Sequence, residues 1–418
     1  MDEIKALILA AGKGVRMKSD RPKVLFEANG LPLLWYPVRA AQKAGAGEVL
    51  AVVGAGRDEV EEAFADEGLV WVPQEKQLGT GHAVMCAREA LEGFEGFLLL
   101  LYGDSPLVRG ETLEGLVART RQTGAACTML TCIVDDPTGY GRVVRGERGV
   151  QAIVEEKCAD EATKKICEIN SGTYCFAWRD LEKVLGRIND DNPQGEYLLT
   201  DAIALLIEEG RRVEAVVAED PDEGLGVNTR EQLAAVSKML RLRVCRELMA
   251  EGVSIMDPDS AFIDPRASVG PDTVIKPFVV IEGPVRIGRN CRIGPFARIR
   301  GESRLGDGVT AGNFVEVARS SIGDGSRAAH LAFVGDAKVG GDVNIAAGVI
   351  TANFDGREKR LTEIADGASV GAGTILVAPC GLDPGAATGA GAVVTGSKRV
   401  PSGETWVGVP ARKLEKRR

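Results

Sequence analysis

Residues Val285–Val309 read VRIGRNCRIGPFARIRGESRLGDGV. Ile287, Ile293, Ile299 and Leu305 recur at intervals of six, and glycine follows three of them as Gly288, Gly294 and Gly306. A six-residue repeat is one flat side of a parallel β-helix: the aliphatic side chain points inward at each step, and small residues permit the corner. Three such sides make a coil of about 18 residues. Ile263, Val269, Ile275 and Ile281 hold the same position before this stretch, and Ala311 and Val317 hold it after, ten steps in succession. Chance spacing does not sustain ten steps. The rhythm slips near His330, is broken by residues 353–363, and resumes at Ile364, Val370, Leu376, Leu382, Thr388 and Val394. Residues 253–410 are therefore expected to form a β-helix. The basic end, residues 411–418, reads as a solvated tail.

The periodicity is different on the N-terminal side. Leu233, Val236, Met239, Leu240, Val244 and Leu248 mark a long helix, expected to link two domains over residues 227–252. Before it, short apolar runs alternate with amphipathic stretches. The runs are Ala6–Ala10, Val49–Val53, Leu69–Val72, Phe97–Leu101, Cys127–Val134, Thr173–Ala177 and Val213–Val217. The stretches are Trp35–Ala44, Asp58–Ala65, Thr80–Leu91, Glu111–Gln122 and Tyr197–Glu209. This alternation predicts an α/β domain over residues 1–226, with a mainly parallel sheet covered by helices on both faces. Ligands of such sheets bind beyond the carboxyl ends of the strands.

A chain of 418 residues is expected to hold two or three domains. Its net charge of −9 argues against a polyanion-binding surface, so no nucleic acid is expected as a partner. Nine cysteines without a CxxC pair fit neither a zinc site nor a disulfide framework, and read as free thiols in a reducing cytoplasm. No apolar run approaches the roughly 20 residues of a membrane span.

Two constellations in the first domain carry chemistry. Leu9–Lys23 reads LAAGKGVRMKSDRPK, a glycine turn after a buried strand. The third glycine of GxGxxG is absent, and Lys13-Gly14-Val15 is not the GK[ST] of a P-loop. What remains is a turn whose amides can approach phosphate, with Arg16 and Lys23 close by; Pro22 stiffens the backbone before Lys23. Two cations and free amides suit a triphosphate under attack; a plain glycine turn with solvated basic residues is the alternative. The second constellation is Leu98–Leu101 followed by Tyr102-Gly103-Asp104-Ser105-Pro106. Asp104 stands where the sheet's ligand lies and could hold magnesium, which takes few protein oxygens besides phosphates and water. Alone, it could equally serve as a turn or cap residue.

These motifs, with Gln74, Gln77-Leu78-Gly79-Thr80-Gly81-His82, Asp136–Arg142, Ile153-Val154-Glu155, Glu168–Gly172 and Gly226–Arg230, closely resemble the N-acetylglucosamine-1-phosphate uridyltransferase family over some 220 residues. The resemblance implies a Rossmann-like nucleotidyltransferase domain followed by a left-handed parallel β-helix of hexapeptide repeats. It implies uridylyl transfer from UTP to N-acetylglucosamine-1-phosphate in the first half, acetyl-CoA-dependent acetylation of glucosamine-1-phosphate in the second, and a cytoplasmic homotrimer supplying cell-wall synthesis. Carried across, Leu9, Ala10, Ala11, Gly12, Gln74, Gly79 and Thr80 hold the nucleotide, and Arg16 and Lys23 act on the phosphates. Tyr102, Gly103, Gly141, Glu155 and Asn170 line the sugar; Asp104 and Asn228 ligate Mg²⁺, Asn228 also facing the substrate. His82 is expected to pack or hydrogen-bond rather than catalyse.

In the second half, His330 suits a general base that deprotonates an amine, although a lone histidine in a β-helix can equally be structural. The resemblance aligns it with the family's acetyl-transfer base. Arg300 aligns with a sugar-phosphate arginine, Asn344 and Asn353 with asparagines near substrate, and Ala347 and Ala390 with acetyl-CoA positions. The chain departs from the family at Ala318 (usually lysine), Phe333 and Phe354 (usually tyrosine), Ala372 (serine) and Gly408 (arginine). Its β-helix is also shorter, by more than one coil between Ile281 and Ile293. Lost hydrogen bonds to a charged substrate are worth about 1.5–3 kcal/mol each. The alternative reading is thus a nucleotidyltransferase for another sugar-1-phosphate or nucleotide, with the β-helix only a trimerisation scaffold.

Overall fold

Ile4–Leu9 is apolar at every position but one, so the strand it forms must be covered on both faces. The computed structural model of the chain describes residues 3–415 apart from 147, 148 and 193, so Lys416, Arg417 and Arg418 of the basic tail lie outside the described residues. Its contacts divide into two compact units, Met1–Ser237 and Lys238–Arg418.

In the first unit, β1 (Ile4–Leu9) is followed by a small hairpin, β2 (Glu27–Ala28) and β3 (Leu31–Pro32). Then come α1 (Trp35–Lys43), β4 (Glu48–Val53), α2 (Arg57–Ala63), β5 (Val70–Pro73), α3 (Thr80–Cys86), β6 (Phe97–Tyr102), α4 (Gly110–Thr123) and β7 (Cys127–Ile133). The chain continues through a second hairpin, β8 (Arg142–Gly146) and β9 (Gly149–Val154), then β10 (Glu168–Ala177), α5 (Trp178–Leu185), α6 (Leu199–Glu208) and β11 (Val213–Val217). The main sheet runs β11-β7-β10-β6-β1-β4-β5. β6, β1, β4 and β5 are parallel, and β10 is antiparallel to both its neighbours. Alternation along β1 sends Leu7 and Leu9 to a face shared with Val84, Trp178 and Leu206; Ala6 and Ile8 go to the other, with Val38, Val60 and Leu116.

The apolar pattern missed β8, β9 and α5, and started β10 at Thr173. The hairpin is only half buried, and its register shifts between Val144 and Arg145, which erases the alternation. The first half of β10 is polar because its pairing with β7 is interrupted between Asn170 and Tyr174. The second irregularity borders the site described below, through Asn170 and Gly172. The stretch expected as a helix over Thr80–Leu91 is regular only to Cys86.

α7 (Arg230–Ala250) leads into the second unit, a left-handed parallel β-helix. Strands of two to four residues stack into three sheets. On the first side Val274, Arg292 and Thr310 are register partners, continued by Arg327 and Asn344. The repeating aliphatics of the quoted stretch, Ile287, Ile293, Ile299 and Leu305, fill the interior. The slip expected near His330 lies elsewhere. Ile322, Ala328 and Val334 keep the interval of six through His330; the shortened steps are Val317 to Ile322 and Val334 to Val339. Both shorten the same corner on successive coils. There Arg319 and Asp336 take left-handed backbone (φ 50° and 47°), and their side chains form a two-pronged ion pair at 2.8 Å.

The interruption at residues 353–361 is a loop held back on the coil by the Asn353 amide on Asp336 and by Arg360 N–H on the Asn353 carbonyl. At the end of the coil, Arg412–Lys413 pairs antiparallel with Trp406–Val407, and Lys413 meets Glu404 at 2.6 Å. This part of the expected solvated tail is therefore tied to the coil. No helix among the described residues is long and apolar enough to cross a membrane.

Candidate active site

β1 and β6 are neighbours and end side by side, so the segments that leave their carboxyl ends must diverge and open a crevice. The crevice is a cavity of about 440 Å³ lined by Leu9, Ala10, Ala11, Gly12, Arg16, Lys23, Val24, Gln74, Gln77, Gly79, Thr80, Ala83, Tyr102, Asp104 and Glu196. Gly14 stands at φ 60°, where an added Cβ would lie 2.7 Å from Lys23 Cβ. A glycine at this point lets the chain fold back and bring Lys23 under the loop.

The lysine reaches two oxygens from distant parts of the chain. Its ammonium donates to the Asp104 carboxylate and, at 3.1 Å, to Asn228 Oδ1. Asn228 is brought there by local structure. Val227 N–H bonds the Asp104 carbonyl at 2.8 Å, setting the two residues side by side. Thr229 and Gln232 then start α7 as a reciprocal cap: Thr229 Oγ1 accepts from Gln232 N–H at 3.2 Å, while Gln232 Oε1 accepts from Asn228 and Thr229 N–H. Arg230 clamps the same turn, bonding the Met17 carbonyl at 3.3 Å and lying over the Phe26 ring at 4.2 Å.

A carboxylate and an amide oxygen facing one cationic nitrogen form a hard, oxygen-only donor set. No group of three or more His, Cys, Asp or Glu suited to a metal occurs among the described residues. The pair therefore fits magnesium, which takes few protein ligands and completes its shell with phosphate and water. It does not suit a structural zinc.

Deeper in, Gln74 is buried and its amide nitrogen is spent on the Gly79 carbonyl (3.1 Å) and on His82 Nδ1 (3.0 Å). His82 thus orients Gln74, a hydrogen-bonding role. The amide oxygen remains as an acceptor on a residue of the cavity lining. The loop carrying Gly79 and Thr80 is stitched to residues 197–199 by Tyr197 N–H to the Leu78 carbonyl (2.8 Å), Gly81 N–H to the Tyr197 carbonyl (2.7 Å) and Leu199 N–H to Thr80 Oγ1 (3.0 Å).

Five of the expected residues, Gly103, Gly141, Glu155, Asn170 and Asn228, stand outside that lining but adjoin it. Gly103 N–H bonds the Leu9 carbonyl at 2.9 Å. Asn170 N–H bonds the Gly141 carbonyl at 2.9 Å, and its side chain bonds the Tyr174 hydroxyl and Gly172 N–H. Gly172 lies against the Tyr102 ring and Gly141 against Glu155. Burial pushes the Tyr102 phenol well up, with Asp104 and Glu155 adding to the shift, so it remains a neutral hydroxyl. Burial, then the nearby Asp201, raises the Glu155 carboxyl. Sequence reasoning missed Gln77, Glu196 and Asp201 at this site. Gln77 and Glu196 fall inside or beside quoted motifs, but no spacing says that they face the crevice.

In the β-helix the expected residues do not converge within one chain. His330 lines a cavity of about 680 Å³ together with Asn313, whose Oδ1 lies 2.5 Å from its Nδ1. Asn313 was missed, because only coil stacking sets it beside His330. Asn344 pairs in register with Arg327, on the rung after His330. Arg300 is held by Glu316 at 2.7 Å on the second side, and Asn353 by Asp336. Gly373 N–H bonds the Ala347 carbonyl and Gly391 N–H the Ala372 carbonyl, so Ala347, Ala372 and Ala390 stack on successive coils.

Residues 6–164 match the MobA-like NTP transferase domain, and residues 261–301 the bacterial transferase hexapeptide repeat. Among similar proteins, the bifunctional protein GlmU of Syntrophotalea carbinolica is 43% identical over 96% of this chain and 93% of its own length. The protein of that name from Trichlorobacter lovleyi is 44% identical over 93% of each chain. That from Pelotomaculum thermopropionicum is 46% identical over 90% of each.

Proposed function

The chain belongs to the bifunctional GlmU family, and from that membership we propose two activities. The first unit transfers a uridylyl group from UTP to N-acetylglucosamine-1-phosphate, releasing pyrophosphate; the β-helix acetylates glucosamine-1-phosphate with acetyl-CoA. The observation that carries the first is the meeting of Lys23, Asp104 and Asn228 at the glycine-loop crevice. A donor set of that kind suits in-line phosphoryl chemistry, where the protein positions the reactants and neutralises charge.

The amides of Leu9–Gly12 and the side chains of Arg16 and Lys23 hold the triphosphate. The free amide oxygen of Gln74 accepts from the uracil N3–H, and Gly79 and Thr80 wall the base and ribose. Tyr102, Gly103, Gly141, Glu155 and Asn170 surround the sugar, with Tyr102 donating as a neutral phenol. Asp104 and Asn228 hold Mg²⁺, which when bound shields the α-phosphate charge against the incoming sugar phosphate. The attacking phosphate oxygen is already ionised, so the chain needs no base for this step. In the second unit His330 takes the proton of the attacking amine. Arg300, Asn344, Ala347, Asn353 and Ala390 adjoin substrate only if copies pack side by side, so a homotrimer belongs to this reading, as does a cytoplasmic location.

A scaffold-only β-helix is favoured by one observation: Arg300 and Asn353 are already engaged by Glu316 and Asp336. Two assays on purified protein decide. With N-acetylglucosamine-1-phosphate and UTP, pyrophosphate release is expected, and its absence refutes uridylyl transfer. With glucosamine-1-phosphate, acetyl-CoA and UTP, release is expected again; its absence here alone leaves the β-helix a scaffold.

The nucleotide loop has its own test. Gly79 sits at φ 113°, and an added Cβ would lie 2.5 Å from the Tyr197 carbonyl oxygen. Gly79→Ala must therefore shift backbone, at a cost of about 1–3 kcal/mol. We expect the KM for UTP to rise by about tenfold with acetyl transfer unchanged; a change below about twofold would remove this loop from nucleotide binding.

A further inference from the structure

The β-helix carries many arginines, and several on its second and third sides are paired with acids. Arg298 meets Glu282 at 2.8 Å, Arg300 meets Glu316 at 2.7 Å, and Arg399 meets both Glu363 and Asp383. The first side differs. None of its described strands contains Asp or Glu. Three cations, Lys276, Arg292 and Arg327, line the 680 Å³ cavity that also holds His330. Among the described residues none of the three has a side-chain hydrogen bond or ion pair. The corner aspartates that precede this side do not reach them: Asp307 accepts from Arg289 N–H and Asp324 from Asp307 N–H, each at 2.8 Å.

The shape of the cavity follows from the stacking. Arg292 and Arg327 are each in register with Thr310, so they flank it one rung to either side, about 10 Å apart. Gly294, Gly312 and Ala329 leave the floor without bulk, and Gly312 can carry no more, because a Cβ there would overlap the Ala329 carbonyl. A groove with a small-residue floor and like charges that repel one another is completed by an anion.

We infer that this groove is a phosphate-binding site: Lys276, Arg292 and Arg327 hold the phosphate of a ligand whose reacting end lies at His330. This inference rests on the acetyl-transfer reading for the ligand's identity, since donor and acceptor of that reaction both carry phosphate. The site itself stands on the charge pattern. It also offers cationic contacts in a unit where Ala318 and Gly408 supply none.

The test is calorimetric titration of the full-length protein with glucosamine-1-phosphate and, separately, with coenzyme A. The double variant Arg292→Gln/Arg327→Gln is expected to weaken one of the two by about tenfold or more, and the affected ligand names the source of the phosphate. Arg292→Lys/Arg327→Lys should retain most of the affinity, and Arg286→Gln, a cation of the third side, should change it less than about twofold. Unchanged affinity for both ligands in the double glutamine variant overturns the site, as does an equal loss in Arg286→Gln. A fall in oligomeric mass without loss of affinity also overturns it, by showing that the cations face another copy of the chain. Binding that depends on Arg292 and Arg327 in a protein without acetyl transfer would sink the acetyl-transfer reading and leave the site standing.

Discussion

Asp104→Ala is expected to lower UTP-dependent pyrophosphate release by on the order of a thousandfold while both units remain folded. Among the described residues Asp104 is the one carboxylate that meets Lys23 in the crevice, and its backbone carbonyl holds Val227, which delivers Asn228. The substitution keeps that backbone bond and removes only the side chain. What is lost is the anionic half of the donor set proposed for the metal and the fixed partner of the Lys23 ammonium. Metal-centred charge stabilisation is worth several kcal/mol, and each 1.36 kcal/mol is a factor of ten in rate. Steady-state release of pyrophosphate, with circular dichroism and acetyl transfer as checks on folding, measures the effect. Asp104→Asn separates charge from shape, and should recover little if the negative charge is what matters. Near-normal turnover in Asp104→Ala would end the metal assignment.

His330→Ala is the counterpart in the second unit. Its Nδ1 lies 2.5 Å from Asn313 Oδ1, and an amide oxygen can only accept, so this contact assigns a proton to Nδ1 and, in the neutral ring, leaves the Nε2 lone pair available. This is the tautomer a general base requires, with Asn313 holding the ring as second-sphere partners hold catalytic imidazoles. General-base catalysis contributes about a hundredfold to ten-thousandfold. Acetyl-CoA consumption with glucosamine-1-phosphate is expected to fall by that amount, and uridylyl transfer from supplied N-acetylglucosamine-1-phosphate to stay unchanged. Equal loss of both activities would mean a folding defect. Retention of acetyl transfer would return His330 to a structural role.

Much of this protein is legible along its chain because its strongest signals are periodic. Ten inward aliphatics at intervals of six leave no other place for the second unit's core, and the strands of the first unit follow from runs such as Leu98–Leu101. Where burial is partial, the pattern failed. The hairpin of β8 and β9, and the polar start of β10, are held by pairing and a register break that no composition announces. The slip expected at His330 belongs to two corners on either side of it, because the Arg319–Asp336 pair, and not the histidine, occupies the shortened vertex.

The sequence by itself determined the two architectures, their order and the glycine loop, and it set Arg16, Lys23 and Asp104 in local motifs whose residue types point to phosphate and metal chemistry; the other expected residues of the first site came from the family resemblance. The tertiary structure decided what those motifs do to one another. Lys23, Asp104 and Asn228 are far apart in sequence and meet only because β1 and β6 are neighbours and Val227 bonds the Asp104 carbonyl. Asn313 beside His330, and the acid-free side bearing Arg292 and Arg327, follow from coil stacking. A hydrogen bond between remote segments depends on a rung spacing of about 4.8 Å, and that distance has no trace in linear order.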